Sequence, residues 1–268
     1  MSRIDKAIQG LHEMDTRAGE KRFQGIHPLV RLFVTFFYLL IVVSFPKYDI
    51  LGLLSMVLYL MIQQSWYEIS IKEEFRRIWP AFLLVCVLGI ANPLLDREIY
   101  FQWNGITVTC GMISMVTLLL KGIFCVMASY LLIITTGIRG ICYSLRCLHV
   151  PREVVTVLLL VYRYLIVLLK EAERMVQAYH LRAPGQRGIQ IKAWGAFLGQ
   201  LLLRSIDRAE LIYESMQLRG FQGEFPGRVF QGKIRDSLFY LTGWTVVLLF
   251  LRLFPLFEVV GWILFYGR

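Results

Sequence analysis

The stretch "IKAWGAFLGQLLLRSIDRAELIYESMQLRGFQG", residues Ile191–Gly223, predicts one long helix with a single apolar edge. Apolar side chains recur three or four residues apart, which places them on one helix face. They are Leu198, Leu202, Ile206, Ala209, Tyr213 and Met216. Charged residues fill the other sides, and Gly220 is a natural stop directly after Arg219. The sequence therefore predicts an amphipathic helix that presents an arginine at its end.

The segment before it, "VPREVVTVLLLVYRYLIVLLKEAERMVQAYHLRAPG", repeats this scheme. Pro151 is favoured at a helix start, and Ala183-Pro184-Gly185 predicts the helix end just after Arg182. The apolar run Val154–Leu169 could be read as a membrane span, but it is short for one and contains Arg163. We interpret the whole segment as a second long amphipathic helix.

A pair of glycines, Gly195 and Gly199, lies near the start of the later helix. Small residues at this four-residue spacing let two helices approach closely. The pair predicts a crossing point between the two long helices, with a coincidental spacing as the alternative.

The composition of the chain is that of an integral membrane protein. Hydrophobic residues make up 57%, charged residues only 18%, and the mean hydropathy is +0.58. Since a bilayer span needs roughly 20 apolar residues, we predict an all-α membrane protein with about five transmembrane helices and the two long amphipathic ones. The predicted spans are Leu29–Phe45, Ile50–Ile62, Pro80–Leu95, Ile113–Thr136 and Leu238–Tyr266.

The placement of charge predicts the orientation. Lysine and arginine concentrate in the amino-terminal segment, in the 66–79 loop and in residues 137–237. The alternate loops carry only Lys47 and Arg97. Because cytoplasmic loops are enriched in basic residues, we expect the amino terminus and residues 137–237 in the cytoplasm. This divides the chain into three parts, 1–136, 137–237 and 238–268.

The closing span contains two charges, Arg252 and Glu258. An arginine at mid-bilayer would cost about 2.5–3.5 kcal/mol. We therefore expect Arg252 near the outer interface, or neutralised by Glu258 or by another chain.

No residue pattern indicates catalysis. The five cysteines have no paired spacing and the four histidines are scattered, which argues against a disulfide framework or a metal site. Basic residues of the cytoplasmic region are interleaved with acidic ones, which argues against a nucleic-acid partner. We predict that the chain is not an enzyme and holds no cofactor.

The two helix-terminal arginines, Arg182 and Arg219, favour docking into clefts on partner proteins. A helix end projects its last side chains, and an arginine there can make several charge-assisted hydrogen bonds at once. The alternative is that each arginine only caps the carbonyls of its own helix.

Several stretches give the chain a family resemblance. They are "IHPLVRL", "LHVPREVV", "YRYLIVLLKEAERM" and "LLLRSIDRAELIYESMQLRGFQG", together with the two arginine motifs. On these the chain resembles the transmembrane T component of energy-coupling-factor (ECF) transporters, and most of all the cobalt-transport subunit CbiQ.

The resemblance implies an energy-coupling membrane subunit of a prokaryotic plasma-membrane importer. Such a subunit joins two ABC-type ATPases to a small membrane-embedded substrate-binding S component, here for cobalt or nickel. The alternatives are a T component that serves vitamin-specific S components, a conventional ABC permease half, or a membrane enzyme of lipid metabolism.

The resemblance also implies the contact residues. Arg182 and Arg219 would enter grooves on the two ATPases, with Leu181, Ala183, Leu218 and Gly220 beside them. The chain departs from the family's Ala-Arg-Gly pattern, because leucine replaces both alanines and Ala183 replaces the first glycine. We expect a groove contact of altered strength at these positions.

Overall fold

Helices form almost all of the structure. The computed structural model describes residues 10, 25–67, 79–80, 82–87, 89–90, 93, 99–103, 106–183, 185, 188–223 and 234–254. Two compact units are present: their described parts are a membrane unit, residues 25–137 and 234–254, and a hairpin unit, residues 138–223. The three-part division at 136/137 and 237/238 stays a prediction.

The membrane unit opens with three helices, α1 Pro28–Ser44, α2 Ile50–Ser55 and α3 Val57–Tyr67. His27 caps α1, because its Nδ1 accepts a hydrogen bond from the Leu29 backbone N–H at 3.2 Å. Burial lowers the pKa of His27, which keeps the imidazole neutral and able to accept this bond. Asp49 caps α2 in the same manner and accepts from the Gly52 N–H at 2.7 Å.

A short antiparallel hairpin, β1 Ile99–Trp103 and β2 Ile106–Thr109, precedes the longest helix. The prediction from helical spans did not include these strands.

Helix α4, Cys110–Cys147, is interrupted at Gly137, whose φ of 66° lies in the left-handed region that favours glycine. Helices α5 Arg152–Arg182 and α6 Ile191–Leu218 follow in the hairpin unit, and α7 Ile234–Leu253 returns to the membrane unit.

The predicted class, an all-α integral membrane protein, is confirmed. Three helical stretches are long and apolar enough to cross a bilayer, namely Ile50–Tyr67, Cys110–Cys147 and Arg235–Leu253, and α1 is a shorter apolar helix. The third predicted span is described only in part, and residues 255–266 of the fifth, with Glu258, lie outside the described residues. Among the described helices, α5 and α6 are long enough to cross a bilayer but do not belong to these apolar stretches, which agrees with their amphipathic interpretation.

The interior of the membrane unit is aromatic. The rings of Tyr38 and Tyr59 stack with their centroids 4.4 Å apart, and Trp244 meets Tyr59 edge-on at 4.8 Å. On the opposite side of α1, Phe36 and Val43 are more than half exposed, at 56% and 64%. Because lipid tails are as apolar as these side chains, such a face can contact lipid directly.

A buried arginine joins three helices of this unit. Arg31 of α1 donates through Nη1 to the carbonyl oxygen of Thr135 in α4 at 2.5 Å. Its guanidinium carbon lies 5.6 Å from the centroid of the Tyr67 ring in α3. Charged groups at membrane depth face the protein interior in this way, because lipid offers them no hydrogen bonds.

Two cationic side chains donate hydrogen bonds to backbone carbonyls at the end of α1, where these carbonyls have no partner within the helix. Lys121 Nζ donates to the carbonyl oxygens of Val43 at 3.1 Å and Phe45 at 2.6 Å. Arg252 donates to the Ser44 carbonyl at 3.3 Å, and its guanidinium carbon lies 4.0 Å from the centroid of the Phe45 ring. The structure thus gives Arg252 a capping role in addition to the alternatives considered from the sequence.

A close helix contact at Gly122 gives a stability prediction. A Cβ on Gly122 would lie 2.7 Å from Cγ1 of Val85, a β-branched side chain that cannot turn away easily. We expect Gly122→Ala to lower the stability of the protein by about 1–3 kcal/mol through overpacking. The added substitution Val85→Ala should recover most of this loss. Thermal unfolding in detergent measures both effects.

The control is Gly243→Ala, because a Cβ at this position of α7 would meet nothing within 4 Å. It should leave the midpoint unchanged or raise it slightly. Equal unfolding midpoints for Gly122→Ala and Gly243→Ala would contradict the contact.

Candidate partner-docking site

The two long helices of the hairpin unit begin and end close to the residues predicted from the sequence. Helix α5 has Pro151 as its N-cap residue, with Glu153 in the first turn, where a negative charge favours the helix dipole. It ends at Arg182, and the Ala183 N–H donates to the Tyr179 carbonyl at 3.0 Å. Pro184, part of the predicted stop, lies outside the described residues.

Helix α6 ends in a complete Schellman motif. The Phe221 N–H donates to the Met216 carbonyl at 3.0 Å, and the Gly220 N–H donates to the Gln217 carbonyl at 2.9 Å. Gly220 has a φ of 74°, the left-handed conformation that this motif requires. The C-cap residue is Arg219. Backbone donors therefore satisfy the carbonyls that an arginine side chain would otherwise have to cap.

The motif residues are presented outward. Arg182, Arg219 and Gly220 are exposed, and Ala183 is half-buried. Leu181 is 84% and Leu218 90% exposed, which is unusual for large apolar side chains. Within the described residues, neither guanidinium takes part in a hydrogen bond or an ion pair. The self-capping alternative thus has no contact to support it in this part of the chain.

The two helices run in opposite directions. Arg204 of α6 forms an ion pair with Glu171 of α5, and Arg174 Nη1 lies 3.7 Å from the other carboxylate oxygen of Glu171. A second link joins the other end, where Thr156 Oγ1 donates to the Gly223 carbonyl at 3.2 Å. At 1.5 Å rise per residue, this arrangement separates the two terminal arginines by roughly 30–40 Å. The two arginines therefore lie too far apart to contact the same small surface.

A cleft of about 1070 Å³ opens between α5 and α6. Its charged lining is predominantly basic and consists of Arg163, Arg204, Arg208, Arg219, Glu171 and Asp207. Its larger apolar lining residues include Tyr164, Val167, Leu168, Leu211, Ile212 and Met216. The cleft combines an apolar floor with an excess of cations, a surface that suits an acidic, amphipathic occupant.

Sequence analysis did not find this cleft, although a periodic signal was present. Arg204, Arg208 and Arg219 share one face of α6, because their spacings of four and eleven residues are close to one and three helical turns. Arg163 was considered only as an argument against a membrane span. A search for basic residues in helical period with Arg219 would have identified the α6 wall of the cleft.

The predicted crossing at Gly195 and Gly199 is not found among the described residues. A Cβ at either position would meet nothing within 4 Å, so no neighbouring helix uses the space that the glycines leave. The ion pair that joins the helices instead involves Arg204, more than one turn later. The four-residue spacing alone is not enough to predict a helix crossing, because it contains no information about which face of the helix has a neighbour.

The predicted apolar stripe of α6 faces outward. Leu198, Leu202, Ile206 and Tyr213 are between 46% and 60% exposed, whereas Met216 is half-buried and lines the cleft. The charged residues of α6 that face α5 are those that the sequence analysis placed on the other sides of the helix. The side of α6 that lines the cleft thus carries charged as well as apolar residues, and the predicted stripe forms a further exposed apolar surface.

Acidic, cysteine and histidine side chains are the usual ligands of metal ions in proteins. In the part of the chain that the structure describes, no three of them lie close enough together to hold a metal ion.

Comparisons with known proteins identify relatives of the chain. The sequence model of the cobalt transport protein family, CbiQ, matches residues 20–229. An uncharacterized protein of Methanocaldococcus jannaschii is 28% identical over 188 residues, which cover 65% of this chain and 63% of that protein. The energy-coupling factor transporter transmembrane protein EcfT 1 of Listeria monocytogenes is 23% identical over 220 residues, which cover 76% of this chain and 82% of that protein.

The Schellman motif gives a testable prediction. Gly220→Ala should destabilise the end of α6 by about 1 kcal/mol, because alanine is strained at the positive φ of this position. Amide hydrogen exchange at Gln217–Phe221 should then accelerate about fivefold. The matched control Gly199→Ala lies inside the same helix in open space and should not accelerate exchange there. Equal protection in both variants would contradict the assignment.

Proposed function

Because this chain belongs to the cobalt transport protein (CbiQ) family, we propose that it is the energy-coupling T component of an ECF-type importer. In this proposal it lies in the plasma membrane of a prokaryote, with its amino terminus and residues 137–237 in the cytoplasm. Two ABC-type ATPases and a small substrate-binding S component are its partners, and cobalt or nickel is the cargo. The family consists of transport proteins rather than enzymes, which supports the prediction that the chain has no catalytic activity.

The observation that carries the proposal is the pair of exposed arginines at oppositely directed helix ends. An arginine that has no hydrogen bond or ion pair among the described residues can give its full hydrogen-bonding capacity to a carboxylate on another protein. The separation of Arg182 and Arg219 fits two similar subunits that each provide one groove. The resemblance to T components supports ATPases as the owners of those grooves.

Each arginine is flanked by a strongly exposed leucine, Leu181 or Leu218. Arginine beside a large apolar side chain is typical of the residues that dominate binding energy at protein interfaces. Leucine stands where the family pattern has alanine, so we propose that the grooves here have a wider apolar wall. Burial of such a side chain contributes about 1.5–3 kcal/mol.

The proposed mechanism is mechanical. ATP closes the ATPase pair and moves the two grooves, and the helix ends move with them. The links at Glu171–Arg204 and Thr156–Gly223 hold α5 and α6 together, which supports their motion as one body. The exposed stripe of α6, which includes Leu198 and Leu202, would press against the S component and transmit the motion.

The first test is purification from the native membrane in a mild detergent, with partners identified by mass spectrometry. Recovery of ATPases together with a small membrane protein is expected, and the identity of the small protein distinguishes a metal importer from a vitamin importer. Uptake in a strain without any S component would instead favour a permease. Lipid turnover by the purified chain alone would favour an enzyme.

Charge reversal at the helix end tests the docking role. Arg219→Glu should leave membrane insertion unchanged and weaken ATPase binding by about 2–5 kcal/mol, because a desolvated ion pair becomes a repulsion. Adding Arg182→Glu should release the ATPases completely. Lys170→Glu is the matched control, since it reverses an exposed charge in the middle of α5, away from both arginine-bearing helix ends. Normal transport by Arg219→Glu would show that the proposed coupling is wrong.

The flanking leucine can be tested separately. Leu218→Ala restores the family residue and should weaken ATPase binding about 10- to 30-fold, because roughly 2 kcal/mol of apolar burial is lost. Leu203→Ala removes the same atoms from an exposed position within α6 and should have no effect. Titration of the purified ATPase against each variant measures the difference, and equal affinities would contradict an apolar groove wall.

A further inference from the structure

We propose that the cleft between α5 and α6 is the docking site of this chain's own amino-terminal segment, residues 4–15. The segment would bind as an amphipathic helix and brace the two arginine-tipped helices. This inference concerns how the hairpin unit is completed. It does not depend on the identity of the ATPases, the S component or the cargo.

The predominantly basic lining of the cleft favours an acidic occupant. Glu171 is already engaged by Arg204 and Arg174. Arg163 and Arg208 make no ion pair within the described residues, although both line the cleft. Filling this space with an uncharged group would remove water from the two cations without replacing its hydrogen bonds. An occupant with carboxylates avoids that cost.

The amino-terminal segment has this chemistry. In "IDKAIQGLHEMD", residues 4–15, apolar side chains recur three or four residues apart at Ile4, Ala7, Ile8, Leu11 and Met14. Three acidic residues stand against one lysine, and they are Asp5, Glu13 and Asp15. Gly10, the one residue of this stretch that the structure describes, is helical. On a helix with 3.6 residues per turn, Asp15 falls within the apolar stripe and Asp5 beside it, whereas Glu13 lies on the opposite side. Asp5 and Asp15 can therefore meet the basic residues of the cleft while the stripe covers its apolar residues.

Size and position also favour this occupant. The cleft, at about 1070 Å³, lies at the upper end of the roughly 300–1,000 Å³ that is typical of small-molecule pockets, and its lining follows both helices, from Arg163 to Glu171 and from Arg204 to Met216. An elongated segment of chain suits it better than a small ligand.

The distribution of basic residues predicts the amino terminus and the hairpin unit on the same side of the membrane. An intramolecular segment also binds at a high effective concentration, so modest contacts are sufficient.

Docking would have a mechanical consequence. The described links between α5 and α6 lie at Glu171 and Thr156, and the cleft occupies the length between them. A helix seated there would prevent the walls from closing and keep Arg182 and Arg219 at a fixed separation. Arg208 lies about three turns before Arg219, so the segment can bind Arg208 while Arg219 stays available to a partner.

A photocross-linking experiment tests the proposal in the complete transporter. A benzophenone amino acid placed at Leu211, a cleft residue that is 67% exposed, should cross-link to residues 4–15 of the same chain. The same probe at Leu202 should not, because nine residues are two and a half helical turns and place it on the opposite face. Mass spectrometry of the cross-linked peptides identifies the product. A cross-link from Leu211 to lipid, to another subunit or to no peptide overturns the proposal.

Charge reversal then tests the basis of recognition. Arg208→Glu should lower the yield of this cross-link about threefold, the effect of one lost charge pair. Combination with a single reversal, Asp5→Lys or Asp15→Lys, should restore the yield for the acid that pairs with Arg208. The control Arg152→Glu, outside the cleft lining, should leave it unchanged. An Arg208→Glu variant with an unaltered yield would rule out the electrostatic recognition proposed here.

Discussion

The antiparallel pairing of α5 and α6 is the constraint on which the arrangement of the hairpin unit depends. The ion pair between Glu171 and Arg204 and the Thr156–Gly223 hydrogen bond join the two helices side by side in opposite directions. The terminal arginines therefore lie at opposite ends of the hairpin unit, and residues of both helices line the cleft. A chain with the same two helices in a parallel arrangement would bring both arginines to one place and could not contact two separate subunits.

The membrane unit obeys a different constraint, the absence of water in the bilayer core. Every polar group must find its partner within the protein. Arg31 donates to the Thr135 carbonyl through Nη1, and Lys121 and Arg252 donate to carbonyls at the end of α1. The charges that looked anomalous in apolar segments therefore join helices to one another. Stability in this unit comes from such contacts and from close helix approaches such as the one at Gly122.

Local patterns predicted most of the helices and their ends. Proline and glycine positions gave the start of α5 and the stop of α6, because those residues restrict or release the backbone whatever surrounds them. Apolar run length gave the positions of the membrane helices. The crossing at Gly195 and Gly199 stays a prediction, since a local spacing cannot show whether a second helix is near and a Cβ at either glycine would meet nothing within 4 Å. The hairpin of β1 and β2 was missed, because strands this short have too few residues for a clear alternation.

The sequence by itself determined that this is a helical membrane protein, where its two amphipathic helices end, and that an arginine stands at each end. These are properties of composition and of local backbone preference, which act over a few residues. Only the tertiary structure decided which face of α6 meets α5, how the arginines diverge, and that Arg163 and Arg208 line one cleft. Those outcomes depend on contacts such as Glu171 with Arg204, between residues far apart along the chain, and no short-range pattern encodes them.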